Sequence, residues 1–363
     1  MNRHFFINTN TPDIHDSGET IMKKILTRCT LLGLTLPLMH AACAQSSITI
    51  YGTADGGVRY LNNANTAGAS KLYMGTNGWN SSNKLGFTGQ EDLGGGLQAH
   101  FVLESGFNLA TGALDNSNGL LFNRQSFVGL KGAWGNVDLG RQYTISHDLL
   151  LDYDPFGFNY TPLIPLTLAS SGTRFSNDIK YTLQSGSLKL LVENAFGENA
   201  GSVHDGAARG VGLQYYGDHV TAGGSYNRRS VLVSGAYRNE DYYLAGVVFK
   251  LDRLRLSGGY MIDTIAMRGS AADTVTRNLF AGGRYRLSER ISLTGGFYRT
   301  TVSPDKTDRR DMSIVGVDYF LSKRTKLYAE VDYTRYRAAV VSSLNTIGVT
   351  QQTGMTVGIN HRF

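Results

Sequence analysis

From about residue 46 onward, apolar residues recur at every second position in segment after segment, with polar or very small residues between them. Leu327, Ala329, Val331 and Tyr333 alternate with Lys326, Tyr328, Glu330 and Asp332, and Met355, Val357, Ile359 and Phe363 oppose Thr356, Gly358, Asn360 and Arg362. Val211, Leu213 and Tyr215 face away from Gly212 and Gln214, and Leu279, Ala281 and Tyr285 from Gly282, Arg284 and Arg286. A period of two marks a β-strand with one apolar face, so the pattern predicts an all-β chain.

The connections have a rhythm of their own. Tight turns at 91–95, 132–136, 184–187, 217–219, 251–253, 287–290 and 321–324 alternate with longer segments rich in Asn, Ser, Gly, Thr and Asp. Seven short turns and eight long loops imply about 16 strands, an even number with both ends on the short-turn side. Sequential hairpins close most simply as an antiparallel up-and-down barrel. A soluble sandwich also alternates, but its strands average about 5 or 6 residues, whereas several here run about 9 to 11, the length that crosses a bilayer at a tilt. Tyrosines gather at strand ends (Tyr51, Tyr60, Tyr181, Tyr215, Tyr226, Tyr260, Tyr285, Tyr319, Tyr333), as in the aromatic girdles of a transmembrane barrel.

Composition agrees. Of 363 residues, 44 are Gly, 20 Tyr and only 6 Pro, with 18% charged. That makeup fits neither a disordered chain nor a helical bundle. No apolar run is long enough for a membrane helix, and the mean hydropathy of −0.19 fits a barrel with a wet interior.

The amino end reads as an export signal. Met22-Lys23-Lys24, a largely apolar run from Leu31 to Met39 and Ala42-Cys43-Ala44 predict a signal peptide over 1–44, with translation starting at Met22, cleavage after Ala44 and a barrel domain over 45–363. Both cysteines, Cys29 and Cys43, fall within that signal. The exported chain then has no thiol chemistry and no disulfide. Four basic and three acidic residues precede residue 45, which leaves a net charge of about +5 on the remainder.

Several separated motifs carry a family likeness. Ser46-Ser47-Ile48-Thr49-Ile50-Tyr51-Gly52, Lys84-Leu85-Gly86-Phe87 with Glu91-Asp92-Leu93-Gly94-Gly95, Arg124-Gln125, Val137-Asp138-Leu139-Gly140-Arg141-Gln142, the 319–328 turn and Val357-Gly358-Ile359-Asn360-His361-Arg362-Phe363 fall in order across nearly all of 45–363. The chain resembles the trimeric general porins of Gram-negative bacteria of the Burkholderia and Neisseria type. The resemblance implies a 16-stranded transmembrane β-barrel in the outer membrane, a homotrimer surrounded by lipid and lipopolysaccharide. It implies a water-filled channel for passive diffusion of small hydrophilic solutes and inorganic ions, without cofactor or metal. Phe363 resembles the terminal aromatic by which the barrel-assembly machinery recognises its clients.

An open barrel of this width needs something in the lumen to select what passes. The connection of about 143–173 is the longest, follows the fifth strand and holds Asp148, Asp152, Asp154, Pro155, Pro162 and Pro165. In the family the loop at this place, the third, folds inward and sets acidic groups, here Asp152 and Asp154, against a basic wall. Parity places Lys84, Glu104, Arg124 and Arg174 on inward faces. Arg174 aligns there with Ser176, Asp178 and Lys180, opposite Phe175 and Ile179. Three of the four are positions that are basic in anion-preferring members, so a weak to moderate anion preference is expected.

Other chemistry finds little support. The phosphate-binding Gly-Lys-Ser/Thr loop and His-Glu-x-x-His are absent, and basic residues form no stripe suited to nucleic acid. Asp152-x-Asp154 resembles the opening of a calcium loop but has Phe156 where a ligand belongs. No clustered acid–base set suggests a barrel enzyme. The remaining alternatives are a substrate-specific channel and an adhesin-like barrel. The modest polar loops at about 61–81, 105–121, 228–240, 263–276, 301–310 and 337–352 argue against a large docking surface.

Overall fold

The computed structural model describes residues 47–75, 77–116, 118–160, 172–267, 272–304, 308–337 and 341–363. The expected signal peptide at 1–44, Pro162 and Pro165 lie outside the described residues. In chain order the strands are β1 (Ser47–Leu61), β2 (Lys71–Met74), β3 (Lys84–Gly94), β4 (Leu97–Gly106), β5 (Gln125–Gly132), β6 (Gly135–Tyr143), β7 (Arg174–Ser185), β8 (Leu188–Ala195) and β9 (Ala208–Tyr216). They continue with β10 (Val220–Val233), β11 (Ala236–Leu251), β12 (Leu254–Ile265), β13 (Thr274–Arg286), β14 (Ile291–Ser303), β15 (Arg309–Phe320), β16 (Thr325–Tyr336) and β17 (Gln351–Arg362). A helix, α1 (Ile145–Tyr153), stands between β6 and β7.

Every consecutive pair from β3 to β17 is antiparallel, and β1 closes the ring by pairing Ser47–Thr53 with β3 and Thr53–Leu61 with β17. The short β2 pairs with the outer end of β1 at Val58–Leu61 and belongs to the first long connection. Sixteen strands therefore form the wall, as the turn count predicts, and six of the seven tight turns sit where the sequence puts them; the first falls at Gly95-Gly96, because β3 stays paired with β4 through most of 91–95. The expected loop at 228–240 is instead a hairpin: β10 and β11 run on to Val233 and Ala236, and Ser234-Gly235, both at positive φ (50° and 78°), make a two-residue turn of the kind that matches strand twist.

The wall is inside out relative to a soluble fold. Val315, Val357 and Ile48 are 64%, 59% and 70% exposed, while Thr356, Glu330 and Asn360 on the opposite parity are 1–3% exposed. Apolar side chains face outward to meet lipid and polar ones line the lumen, which excludes a sandwich with an apolar core. Tyr60, Tyr215, Tyr260, Tyr285, Tyr319 and Tyr333 lie on the exposed face. Tyr51 departs from that expectation: it points into the lumen, where its hydroxyl donates to Glu104 at 3.0 Å.

Candidate functional site: a charged constriction

The long connection after β6 folds inward and contains a helix. Thr144 caps α1, its hydroxyl oxygen accepting from the His147 N–H at 3.2 Å, and Asp148 stands in the first turn, where the helix dipole favours an acid. The helix stops at Asp154 because Pro155 disfavours helical backbone in the residue before it. At this end the Arg255 guanidinium donates to the Asp152 and Asp154 carbonyl oxygens and Arg284 to that of Phe156, so cations meet the negative end of the helix.

An apolar strip fastens this segment to the wall. Ile145, Leu149, Leu150, Tyr153, Phe156 and Tyr160 are buried in one cluster with Leu191, Leu244, Val248, Met261, Phe280, Met312 and Ile314 from strands β8 to β15. These strand residues point inward, against the apolar-out pattern, and the loop covers them. Gly212 and Gly246 leave the room: a methyl group at either would meet Ile145 or the Tyr153 ring. The tip then reaches the far wall, where the Tyr160 hydroxyl donates to Asp332 at 2.5 Å and accepts from Arg59 at 3.1 Å.

The two acids expected to face the basic wall do not. Asp152 accepts from Gln214 and Tyr216 on β9, both at 2.9 Å. Asp154 is fully buried and accepts from the Tyr298 hydroxyl at 2.7 Å and the Phe158 N–H at 2.8 Å; burial pushes its carboxyl above the usual range. Both anchor the loop to strands away from Lys84, Arg124 and Arg174. Strand parity fixes which way a wall residue points but leaves the course of a loop open. The loop acid that does pair with the wall is Asp148, 3.0 Å from Lys180.

Lys84, Glu104 and Arg124 come together. Glu104 receives Arg124 Nε at 2.6 Å, Lys84 Nζ at 3.3 Å and the Tyr51 hydroxyl. Arg124 and Arg174 both donate to the Tyr143 hydroxyl oxygen, at 2.6 and 3.0 Å, and the Arg174 guanidinium lies 4.5 Å from the centre of that ring. Side-chain exposure is 29% for Lys84, 10% for Arg124 and 1% for Glu104, so the carboxylate is sealed behind its cations and the lumen meets positive charge first. Tyr51 and Tyr143, which join these residues, escape sequence reasoning because a tyrosine at a strand end reads equally as girdle or lumen.

Arg174 does not lie on the inward face that strict alternation assigns it. Asn177 has a φ of 56° and the β6–β7 register shifts beside it, so alternation breaks between Arg174 and Asp178. Phe175 is buried against Ala195 and Ala208 rather than facing outward, and Ser176 is exposed. Arg174 reaches the cluster through Tyr143, not through the face it was expected to share.

A second inward element is the end of the first long connection. Asp55 accepts from the N–H groups of Trp79 (2.7 Å), Asn80 (3.2 Å) and Ser81 (3.2 Å), the Tyr328 hydroxyl (2.8 Å) and Asn360 Nδ2 (2.9 Å). Asn80 then bridges to Glu330 at 2.8 Å and to the Asn159 carbonyl of the third loop at 3.2 Å. At the carboxyl end, Phe363 exchanges both backbone hydrogen bonds with Gly52, where β1 passes from one neighbour to the other.

Comparison with known proteins places this architecture. A family model described as Gram-negative porin matches residues 38–339. Outer membrane porin protein 32 of Delftia acidovorans is 30% identical over 94% of this chain and all of its own length. Major outer membrane protein P.IB of Neisseria meningitidis serogroup B is 27% identical over 92% of this chain and 99% of its own. Among solved structures, an anion-selective porin from Comamonas acidovorans superposes with a TM-score of 0.77 at 26% identity, covering 88% of this chain and 100% of that one. With a closed 16-strand barrel, an inward third loop and a charged lumen, the chain belongs to the Gram-negative porin family and forms a channel of the outer membrane.

Proposed function

We propose that this porin passes small hydrophilic solutes and ions passively with a weak to moderate preference for anions, set by Lys84, Arg124 and Arg174. The observation that carries the reading is Glu104 sealed behind Arg124 and Lys84, with Arg174 alongside on the Tyr143 hydroxyl, so that water in the lumen meets cations first. A fixed positive cluster at a narrow point lowers the energy of an entering anion and raises that of a cation across about 8 Å at physiological salt. The likeness to an anion-selective porin supports the same sign. Asp152 and Asp154, turned to β9 and β14, act by holding the loop rather than by opposing the wall.

The working form is a homotrimer in a bilayer containing lipopolysaccharide, assembled by the barrel-assembly machinery with Phe363 as part of the recognised strand, and the mature chain starts at Gln45. Mass analysis of the purified amino terminus tests that start. The selectivity is tested by the zero-current potential across a KCl gradient in a planar bilayer. Wild type should favour chloride, and Arg174→Glu and Lys84→Glu should move the potential toward potassium. Conductance with no chloride preference would discard the basic wall and keep the channel.

A further inference from the structure

On the long-loop side of the constriction, a cavity of about 630 Å3 lies between the inward faces of β1, β15, β16 and β17 and the end of the first long connection. Its charges do not cancel. Arg59 is closed against Asp332 at 2.7 Å, which uses the acid that borders the cavity. Arg310 and Lys71 bring the cations in the lining to three against that one acid. Arg310 stands opposite Tyr336 in the β15–β16 register, and its Nε is buried with no hydrogen-bond partner among the described residues. Lys71 Nζ lies 4.5 Å from the centre of the Tyr73 ring, and its side chain is exposed. Asp332 is the acid that acts on Arg310, and Arg59 already holds it, so Arg310 is only partly neutralised, and its planar fork matches a carboxylate.

The rest of the lining is unlike a path for hydrated ions. Tyr73 and Trp79 meet edge to face with ring centres 5.2 Å apart, and Leu61, Met74 and Met312 complete an apolar border. Arg59 sits 5.3 Å from the centre of the Trp79 ring and holds it in place. Aromatic walls beside an excess of positive charge select a ligand with a flat apolar body and one anionic end, and the volume suits a small molecule. We infer that this outer vestibule is a binding site for small aromatic carboxylates, the carboxylate on Arg310 and the ring against Tyr73 and Trp79. Such a site goes beyond passive diffusion: it concentrates amphipathic anions at the mouth before they reach Lys84, Arg124 and Arg174.

The chain has two tryptophans, and Trp134 lies in the β5–β6 turn at the other end of the barrel. In Trp134→Phe protein, Trp79 is therefore the reporter. Each preparation is first shown to conduct KCl, so that a lost response reports on the site and not on folding or on the channel reading. Benzoate should change Trp79 emission saturably, while benzamide, which lacks the charge, and acetate, which lacks the ring, should each need at least about tenfold higher concentration. Arg310→Gln should weaken benzoate about tenfold or more, and Arg310→Lys, which keeps the charge and loses the fork, should fall between. In conducting protein, an absent response, equal titration by benzamide or acetate, or indifference to Arg310→Gln overturns the site.

Discussion

Gly246 on β11 lies against the ring of Tyr153, so close that a methyl group there would stand only 2.2 Å from the nearest ring carbon. The barrel wall and the third loop are thus fitted to each other at a point where the wall has no side chain. Placing Leu at 246 forces Tyr153 toward the open lumen, with an overpacking penalty of about 1–3 kcal/mol that falls on loop docking rather than on the strand ladder. Single-channel records of Gly246→Leu should show an altered step size and greater open-channel noise, with the β content of the purified protein unchanged by circular dichroism. Wild-type steps and noise would show that the loop does not depend on this seat.

Glu104 holds back the basic cluster. Glu104→Gln keeps the shape and removes the negative charge shared by Arg124 and Lys84. The cluster then gains one net positive charge, and the zero-current potential across a KCl gradient should move further toward chloride, opposite to the shift expected for Arg174→Glu. A shift toward potassium, in protein that still conducts, would mean that Glu104 serves mainly to position the cations.

His147 makes the docked loop sensitive to acid. Its ring is stacked between Tyr143 (4.3 Å) and Phe158 (4.8 Å), and Nδ1 is buried without a hydrogen-bond partner among the described residues. Burial, together with Arg174, Arg124 and Lys180 nearby and opposed by Asp148, pushes its pKa down to about 3 from the ordinary 6.5. A depressed value in the docked state means that docking is fully supported above pH 6.5 and loses support as pH falls from 6.5 toward 3, by up to about 1.4 kcal/mol per pH unit for one proton. Open-channel noise should rise over that window, and His147→Phe should flatten the dependence. An equal pH response in the variant would place the proton elsewhere.

The wall was legible from alternation because a strand between lipid and water must show its two solvents at every second residue. The same rule hid the loop's seat. Leu191, Leu244 and Val248 face inward beside outward Val192, Tyr243 and Phe249, so apolar residues occupy both parities and read as undivided apolar runs. Helix α1 has a local signal of its own: Thr144 is a capping residue, and Ile145, Leu149 and Tyr153 repeat at four-residue spacing before Pro155. Nine residues within a connection are too few for that period to stand out. The direction of Asp152 and Asp154 depends on Tyr216 and Tyr298, distant in sequence, and no local pattern encodes it.

Asp55 fastens the first long connection inside the barrel, with three backbone N–H groups, a hydroxyl and an amide converging on one carboxylate. Asp55→Ala removes the acceptor and leaves those donors facing one another. Asp55→Asn keeps the size but turns an NH2 toward donors that need an oxygen. Bonds to a charged acceptor contribute about 1.5–3 kcal/mol each, so hydrogen exchange across residues 77–83 should quicken by at least about tenfold in either variant. The Asn80 bridge to Asn159 should carry the loosening into the third loop, and peptides covering 154–160 should exchange faster as well. Faster exchange at 77–83 alone would show the two inward loops to be independent, and unchanged exchange at both would remove Asp55 as the fastening.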